Sequence, residues 1–287
     1  MTTAIGRCLL CEEQKELKGS HIIPKFIGKW LKNTSATGYL RQTSNADKRQ
    51  QDISKLPLLC NECEQLFSKY EKMFSEKIFK PFQDGGKNFN YDIWLLKFVI
   101  SVQWRIIATQ KHTAEGIPGF LMNHLDDAFV LWRDFLLGKI NKHGSYAHHI
   151  FFLDTIESVS GELQLQDKPN MYFLRSIDST IASNGNNTLF IYTKLPGIIM
   201  VTHIFPTNMA GWSKTKIVKR GTLKIPQSCS VDGFAEFLNH RIEESRNYKI
   251  SEKQVMKINE EVRKNEKRML NSKSFEAWLA DENMKSF

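Results

Sequence analysis

Two Cys-x-x-Cys pairs, Cys8-Leu9-Leu10-Cys11 and Cys60-Asn61-Glu62-Cys63, tie the N-terminal part of the chain into one unit. Each pair sets two sulfurs on a tight turn, and two such turns supply the ligands of a tetrahedral Zn²⁺ site. With four thiolates the ion is closed to water, so the zinc expected here is structural. The spacer between Cys11 and Cys60 is much longer than the roughly 15–20 residues of a plain zinc ribbon. Ser20-His21-Ile22-Ile23-Pro24 lies inside it, and His21 is its most conspicuous member.

Cys229, the fifth cysteine, is left without a partner and reads as a small buried apolar residue. Such cysteine usage points to a reducing compartment. No apolar run approaches the roughly 18 residues of a membrane span, and Met1 to Leu10 lacks the regions of a secretory signal. A cytoplasmic protein with no membrane partner is expected. Neither His-Glu-x-x-His nor the His-x-Glu with Pro-Cys-x-x-Cys of the zinc deaminases occurs, which excludes two further zinc chemistries.

The net charge of +9 is unevenly spread over the 287 residues. Residues 1–87 hold 15 Lys+Arg against 10 Asp+Glu, residues 88–210 hold 9 against 10, and residues 211–287 hold 16 against 11. Two basic ends around a neutral middle suit a phosphate-rich partner, although solvated helix faces would carry the same excess.

Ser20 to Ile23 reads as a short strand ended by Pro24, followed by a helix with Phe26, Ile27, Trp30 and Leu31 on one face. Tyr39 to Thr43 is a short strand, Ser44 to Asp52 a polar loop and Ile53 to Leu59 a second strand. Leu66, Tyr70, Met73 and Phe74 mark a helix that Pro81 is expected to end. Glu64 and Glu71, two turns apart, share another face of it. The Asp84-Gly85-Gly86-Lys87 turn then closes a first domain, 1–87. Helices are expected within 92–137, with Trp94, Leu95, Phe98, Val99, Val102 and Ile106 forming a buried stripe. Antiparallel strands follow within 148–205, namely His148 to Leu153, Met171 to Ile181, Thr188 to Lys194 and Ile198 to Phe205. His148 and His149 should face opposite ways. Helices within 230–283 complete a second domain, 88–287, capped by Ser230 and by a Ser251–Gln254 capping box.

The Ser-His-Ile-Ile-Pro step inside a four-cysteine frame, with Cys60-x-x-Cys63 opening a helix, resembles the HNH (ββα-metal) endonucleases, in their zinc-stabilised branch. The resemblance covers about the first 80 residues. It implies His21 as general base, with Ser20 and Glu64 at the positions that hold a catalytic Mg²⁺ or Mn²⁺. Serine and glutamate both depart from the usual ligands there. The asparagine that steadies the base has no clear counterpart, and Asn45 and Asp52 are the substitutes. Lys25, Lys48 and Arg49 are the residues expected to touch nucleic acid, duplex DNA before RNA.

The expectation is therefore an α+β protein with an N-terminal zinc-bound HNH-like unit and a larger α+β domain with a small antiparallel sheet and C-terminal helices. Its expected activity is metal-dependent cleavage of DNA, in prokaryotic restriction or phage defence. The alternative is an inactive zinc-dependent nucleic-acid-binding or assembly subunit. Residues 88–287 offer a surface for a protein partner or a second copy.

Overall fold

Strands β1 (Ala4–Arg7) and β2 (Gln14–His21) flank the turn that carries Cys8 and Cys11, and they pair antiparallel in the computed structural model, which describes residues 4–159 and 168–286. Helix α1 (Lys25–Asn33) follows the Pro24 bend with Ile27, Gly28 and Leu31 buried. A Cβ on Gly28 would lie 2.7 Å from Ile53 Cγ2, so glycine at this position makes room for the Ile53 side chain. The expected polar loop is instead largely a strand: β3 (Leu40–Gln42) and β4 (Asn45–Gln50) form a hairpin. Its charged side chains satisfy a ribbon open to solvent, which composition cannot tell from a loop.

Strand β5 (Lys55–Cys60) lies antiparallel to β2, from Leu17↔Cys60 to His21↔Lys55, and runs straight into helix α2 (Asn61–Phe74). The ladder slips between Lys18 and Gly19, opposite Pro57. Proline has no N–H for a ladder, so it belongs at such a bulge. Pro81 does not end the helix as expected: α2 continues through a π turn at Ser75–Phe79 into α3 (Lys80–Gln83). The wider turn passes the Lys80 N–H to Ser75 O, which accommodates a residue with no N–H of its own.

After β6 (Asn88–Tyr91), helix α4 (Ile93–Gln110) buries every residue from Trp94 to Ile107 except Lys97. It can be apolar all round because it is covered on all sides. Phe74 of α2 stacks on Phe98 at 4.0 Å, and Phe67 meets Trp104 at 6.2 Å. Helix α5 (Gly119–Leu136) packs on another side, through Phe129 stacked on Trp104 at 4.9 Å. One apolar core thus extends from Cys8 to Leu223 and crosses residue 88 without a break.

Strand β7 (His148–Phe152) precedes a short β8 (Ser158–Val159) and helix α6 (Pro169–Arg175). The strand expected from Met171 is helical as far as Arg175, because Asp281 caps this turn by accepting from the N–H groups of Asn170 and Met171 at 2.8 and 2.9 Å. Strands β9 (Asp178–Ser183), β10 (Leu189–Leu195) and β11 (Ile198–Phe205) form a meander, and β7 adds to β11, giving the order β7-β11-β10-β9. The short strands β12 (Trp212–Ser213), β13 (Gly221–Lys224) and β14 (Ser228–Cys229) follow. β13 pairs with β6, and β12 pairs with β14.

Helices α7 (Phe234–Glu244), α8 (Glu252–Lys264), α9 (Glu266–Leu270) and α10 (Lys273–Asn283) precede the two-residue β15 (Lys285–Ser286). Neither expected cap forms. Gly233, not Ser230, precedes α7, and Ser251 makes no side-chain cap while Gln254 turns to Arg41 at 3.5 Å. The C-terminal helices instead fold back on the N-terminal unit: Ser251 N–H donates to Asp47 at 2.8 Å, Arg268 Nε to Ser35 O at 3.1 Å and Lys273 N–H to Thr34 O at 3.0 Å. Among the described residues no helix is long and apolar enough to cross a membrane.

The two neighbouring histidines of β7 do face opposite ways. His148 lies beside Trp132 and bonds Thr202 at 2.9 Å, while His149 stacks on Trp212 and bonds Thr215 at 2.9 Å. Burial pushes His203 down to about 4, and burial with the nearby charges of His203 and Lys216 pushes His149 down to about 3. Trp212 Nε1 donates to His203 Nε2 at 2.8 Å, a bond that only an unprotonated nitrogen can accept. A folded pKa below the unfolded value of about 6.5 means that the unfolded chain binds more protons, so stability falls as pH drops from about 6.5 toward these values. At pH 4 each histidine should cost on the order of 3 kcal/mol, against a total margin of about 5–15 kcal/mol. Urea unfolding between pH 7 and 4.5 should show a falling midpoint, less steep in His203→Phe; equal midpoints at both ends of the range would refute this.

Candidate metal centre and histidine site

Cys8 sits in the turn after β1, with its N–H on Glu13 O at 2.9 Å and its carbonyl accepting from Glu12 N–H at 2.8 Å. Glu12 takes φ 64°, a strained conformation for a residue with a side chain. Its carboxylate is held by Arg7 at 2.7 Å and by Arg133 of α5 at 2.9 Å. The second pair sits at the junction of β5 and α2, where Cys60 is the last strand residue and Cys63 lies in the first helical turn. Its backbone turns toward the first pair, and Cys60 N–H donates to Cys8 Sγ at 3.3 Å.

The four sulfurs lie within 4.8 Å of one another. Cys11 Sγ and Cys60 Sγ are 3.8 Å apart, and a tetrahedron with Zn–S of about 2.3 Å has an edge of about 3.8 Å. Four cysteines so placed can hold a metal ion such as zinc. Burial pushes the Cys60 thiol up to about 11 and raises that of Cys63 as well, so binding a cation here must release protons.

His21 is the last residue of β2, at the opposite end of the β2–β5 ladder from the Leu17↔Cys60 pair. Its Nε2 lies 3.0 Å from Asp52 Oδ2. Burial alone would raise the Asp52 carboxyl, but the hydrogen bond and charge of His21, the Ile53 N–H and the nearby Lys25 together hold it below the usual carboxylate range. An ionised carboxylate only accepts, so Nε2 carries the proton of this bond, and Nδ1 is the nitrogen left to act as acceptor in the neutral tautomer. Of the two substitutes for the missing asparagine, Asp52 reaches the histidine. Asn45, an exposed residue of the hairpin, makes no hydrogen bond with it.

Ser20 and His21 are consecutive in a strand and point to opposite faces. Ser20 is fully buried, and its hydroxyl accepts from Leu59 N–H at 3.2 Å and donates to Lys18 O at 3.4 Å. That hydroxyl serves the bulge in the ladder. Glu64, on the first turn of α2, has a buried Oε1 with no hydrogen-bond partner. Glu71, on its face of α2, pairs instead with Arg105 at 2.8 Å. Among the described residues, the cysteine cluster is the only group of three or more histidines, cysteines or carboxylates close enough to hold an ion.

Lys25 and Lys48 are exposed. Arg49 is half-buried, 4.5 Å over the Tyr39 ring and 3.5 Å from Glu261 of α8, so its charge is engaged within the chain. Lys55, exposed, lies across the ladder from His21. Arg105 was not among the expected site residues, yet its Nη1 donates to His21 O at 2.7 Å. Its signal in the sequence is a lone arginine in an otherwise apolar helical run, where a charge needs partners.

No protein-family model matches the sequence, and no curated protein or solved structure is significantly similar to it. Any functional assignment rests on the site alone.

Proposed function

We propose that the protein is an HNH-like, metal-dependent endonuclease that hydrolyses phosphodiester bonds of DNA, or less readily of RNA. The observation that carries this reading is the His21–Asp52 hydrogen bond, made at the end of a strand pair whose other end meets four clustered cysteines. An ionised Asp52 fixes the imidazole tautomer, and the Nδ1 lone pair takes a proton from a water that attacks phosphorus. The antiparallel pair β2–β5, with the histidine at the end of β2 and β5 running into α2, also supports the resemblance, with α1 and the β3–β4 hairpin inserted between the two strands. Lys25, Lys48 and Lys55 provide positive charge for the phosphate backbone. Restriction or phage defence in a prokaryotic cytoplasm is the setting that the resemblance suggests.

A bound Mg²⁺ or Mn²⁺ would supply Lewis acidity at a phosphoryl oxygen. The unpartnered Glu64 Oε1 suits a hard cation, although Glu64 follows Cys60 at the end of the ladder opposite His21, whereas the Ser20 hydroxyl is spent on Leu59 and Lys18. Mg²⁺ is commonly held by only one or two carboxylates together with substrate phosphates, which is consistent with so sparse a set. The four-thiolate site is closed to water and takes no part in the chemistry.

Supercoiled plasmid with Mg²⁺ or Mn²⁺ should be nicked or linearised. Binding to a DNA duplex should weaken about a thousandfold between 50 and 200 mM salt, if about six phosphates are neutralised. A protein that neither cuts with either metal nor binds DNA at 50 mM salt would end the nucleic-acid reading.

One observation favours a second reading. With Ser20 buried and engaged, the expected ligand pair is incomplete, as in a zinc-dependent nucleic-acid-binding or assembly subunit that performs no cleavage. Salt-sensitive binding without cleavage is its signature.

A further inference from the structure

We propose that Arg105 is a positioning residue for His21, so that the histidine site is completed from helix α4, outside the segment that carries the cysteines. The inference rests on His21 being the general base of the proposed nuclease.

Arg105 is 2% exposed in the middle of the most apolar helix of the chain. A guanidinium is retained in such a place only when fixed groups surround it. Its Nη1 donates to the main-chain oxygen of His21 at 2.7 Å, and its Nε to Ser101 O at 3.2 Å. Nη2 lies 2.8 Å from Glu71 Oε1, a close ion pair rather than an aligned hydrogen bond. The guanidinium also rests over the Phe67 ring, 5.3 Å from its centroid.

His21 is where such support matters. It ends β2, beyond the Lys18/Gly19 slip, and its partner Lys55 is the first residue of β5. A strand end without further ladder is poorly fixed by its own sheet. The His21 carbonyl instead meets a donor anchored in the rigid, buried α4, while Asp52 holds the ring. Main chain and ring are thus pinned separately, which fixes where Nδ1 sits. The Glu71 ion pair accounts for burying the charge. It does not require the second arm of the fork to reach His21, 84 positions away.

The test uses the full-length, zinc-loaded protein and plasmid cleavage. Glu71→Gln alone should keep kcat within about threefold of wild type, because Arg105 keeps its bond to His21. Arg105→Met with Glu71→Gln removes both charges and leaves no unpaired ion in the core. If Arg105 only balances Glu71, this pair should cut like Glu71→Gln. If it positions His21, kcat should fall about a hundredfold, the scale of an ångström-sized misplacement, with KM and zinc content as in Glu71→Gln and a melting temperature no lower than that of Glu71→Gln, which alone leaves the Arg105 charge unpaired. Equal kcat in the two would overturn the proposal. Should the double variant lose zinc or fail to fold, Arg105→Lys carries the test: it keeps the charge beside Glu71 but loses the fork. A tenfold fall in kcat at unchanged KM is then expected, and wild-type kcat overturns the proposal. A wild-type protein that cuts nothing overturns the nuclease reading and this inference with it, an outcome distinct from a wild type and a double variant that cut equally well.

Discussion

Replacing Cys60 with serine, or removing the metal with a chelator, should unfold the N-terminal part of the chain. Structural zinc contributes roughly 10–16 kcal/mol in small peptides, whereas a whole domain is stable by only about 5–15 kcal/mol. Cys60 is 1% exposed, ends β5 and immediately precedes α2, so its loss acts on both elements. Leu10, Leu59 and Phe67 belong to the same core as α4, and the damage should spread to Phe98 and Trp104. Metal analysis should find about one zinc per chain, and the variant should lose most of its ordered near-ultraviolet signal at 25 °C. Purified protein without zinc, or a Cys60→Ser protein that melts like wild type, would refute a structural zinc.

His21→Ala should have the opposite profile: a large loss of the proposed cleavage with little loss of fold. Removing a general base costs about 10²–10⁴-fold in rate. The imidazole side chain makes one hydrogen bond, to Asp52, and touches none of the four cysteines. Such a bond contributes about 1–3 kcal/mol, so melting should fall by no more than roughly 10 °C while zinc content and DNA affinity stay close to wild type. Asp52→Asn should also cut more slowly, because an amide no longer dictates which ring nitrogen carries the proton. Single-turnover rates at saturating DNA check both variants. Unchanged rates in His21→Ala would mean that any cleavage arises elsewhere on the chain.

The metal frame was legible in the sequence because ligand type and spacing act locally: two cysteines on one turn face one ion wherever the turn is placed. The helices at Lys25–Asn33 and Ile93–Gln110 were legible for a similar reason, since an apolar stripe or an all-apolar run declares its own burial. Caps and short strands were not. Ser230 and Ser251 carry good capping side chains, but Gly233 takes the position before α7, which packs on Phe190 and Tyr192, and Ser251 precedes α8 without a side-chain bond while its N–H goes to Asp47 of the hairpin. Asp47 and Arg49 lie in a ribbon that composition describes as a loop, since its strands bury little and are held mainly by each other and by α8.

At the histidine, the sequence alone determined that His21 sits between two Cys-x-x-Cys pairs. Tertiary structure decided its partners. Asp52 and Asn45 were equivalent in sequence, and only the path of the chain after β4 brings the carboxylate to Nε2. Ser20 passed for a ligand until the slip in the β2–β5 ladder turned its hydroxyl toward Leu59. Arg105, separated from His21 by α1, the β3–β4 hairpin, β5, α2, α3 and β6, reaches its carbonyl because α4 packs against α2 through Phe74, Phe98, Phe67 and Trp104. Ligand chemistry is written in short-range spacing, whereas strand register and helix docking are collective outcomes of burial, and these collective outcomes choose which polar groups meet.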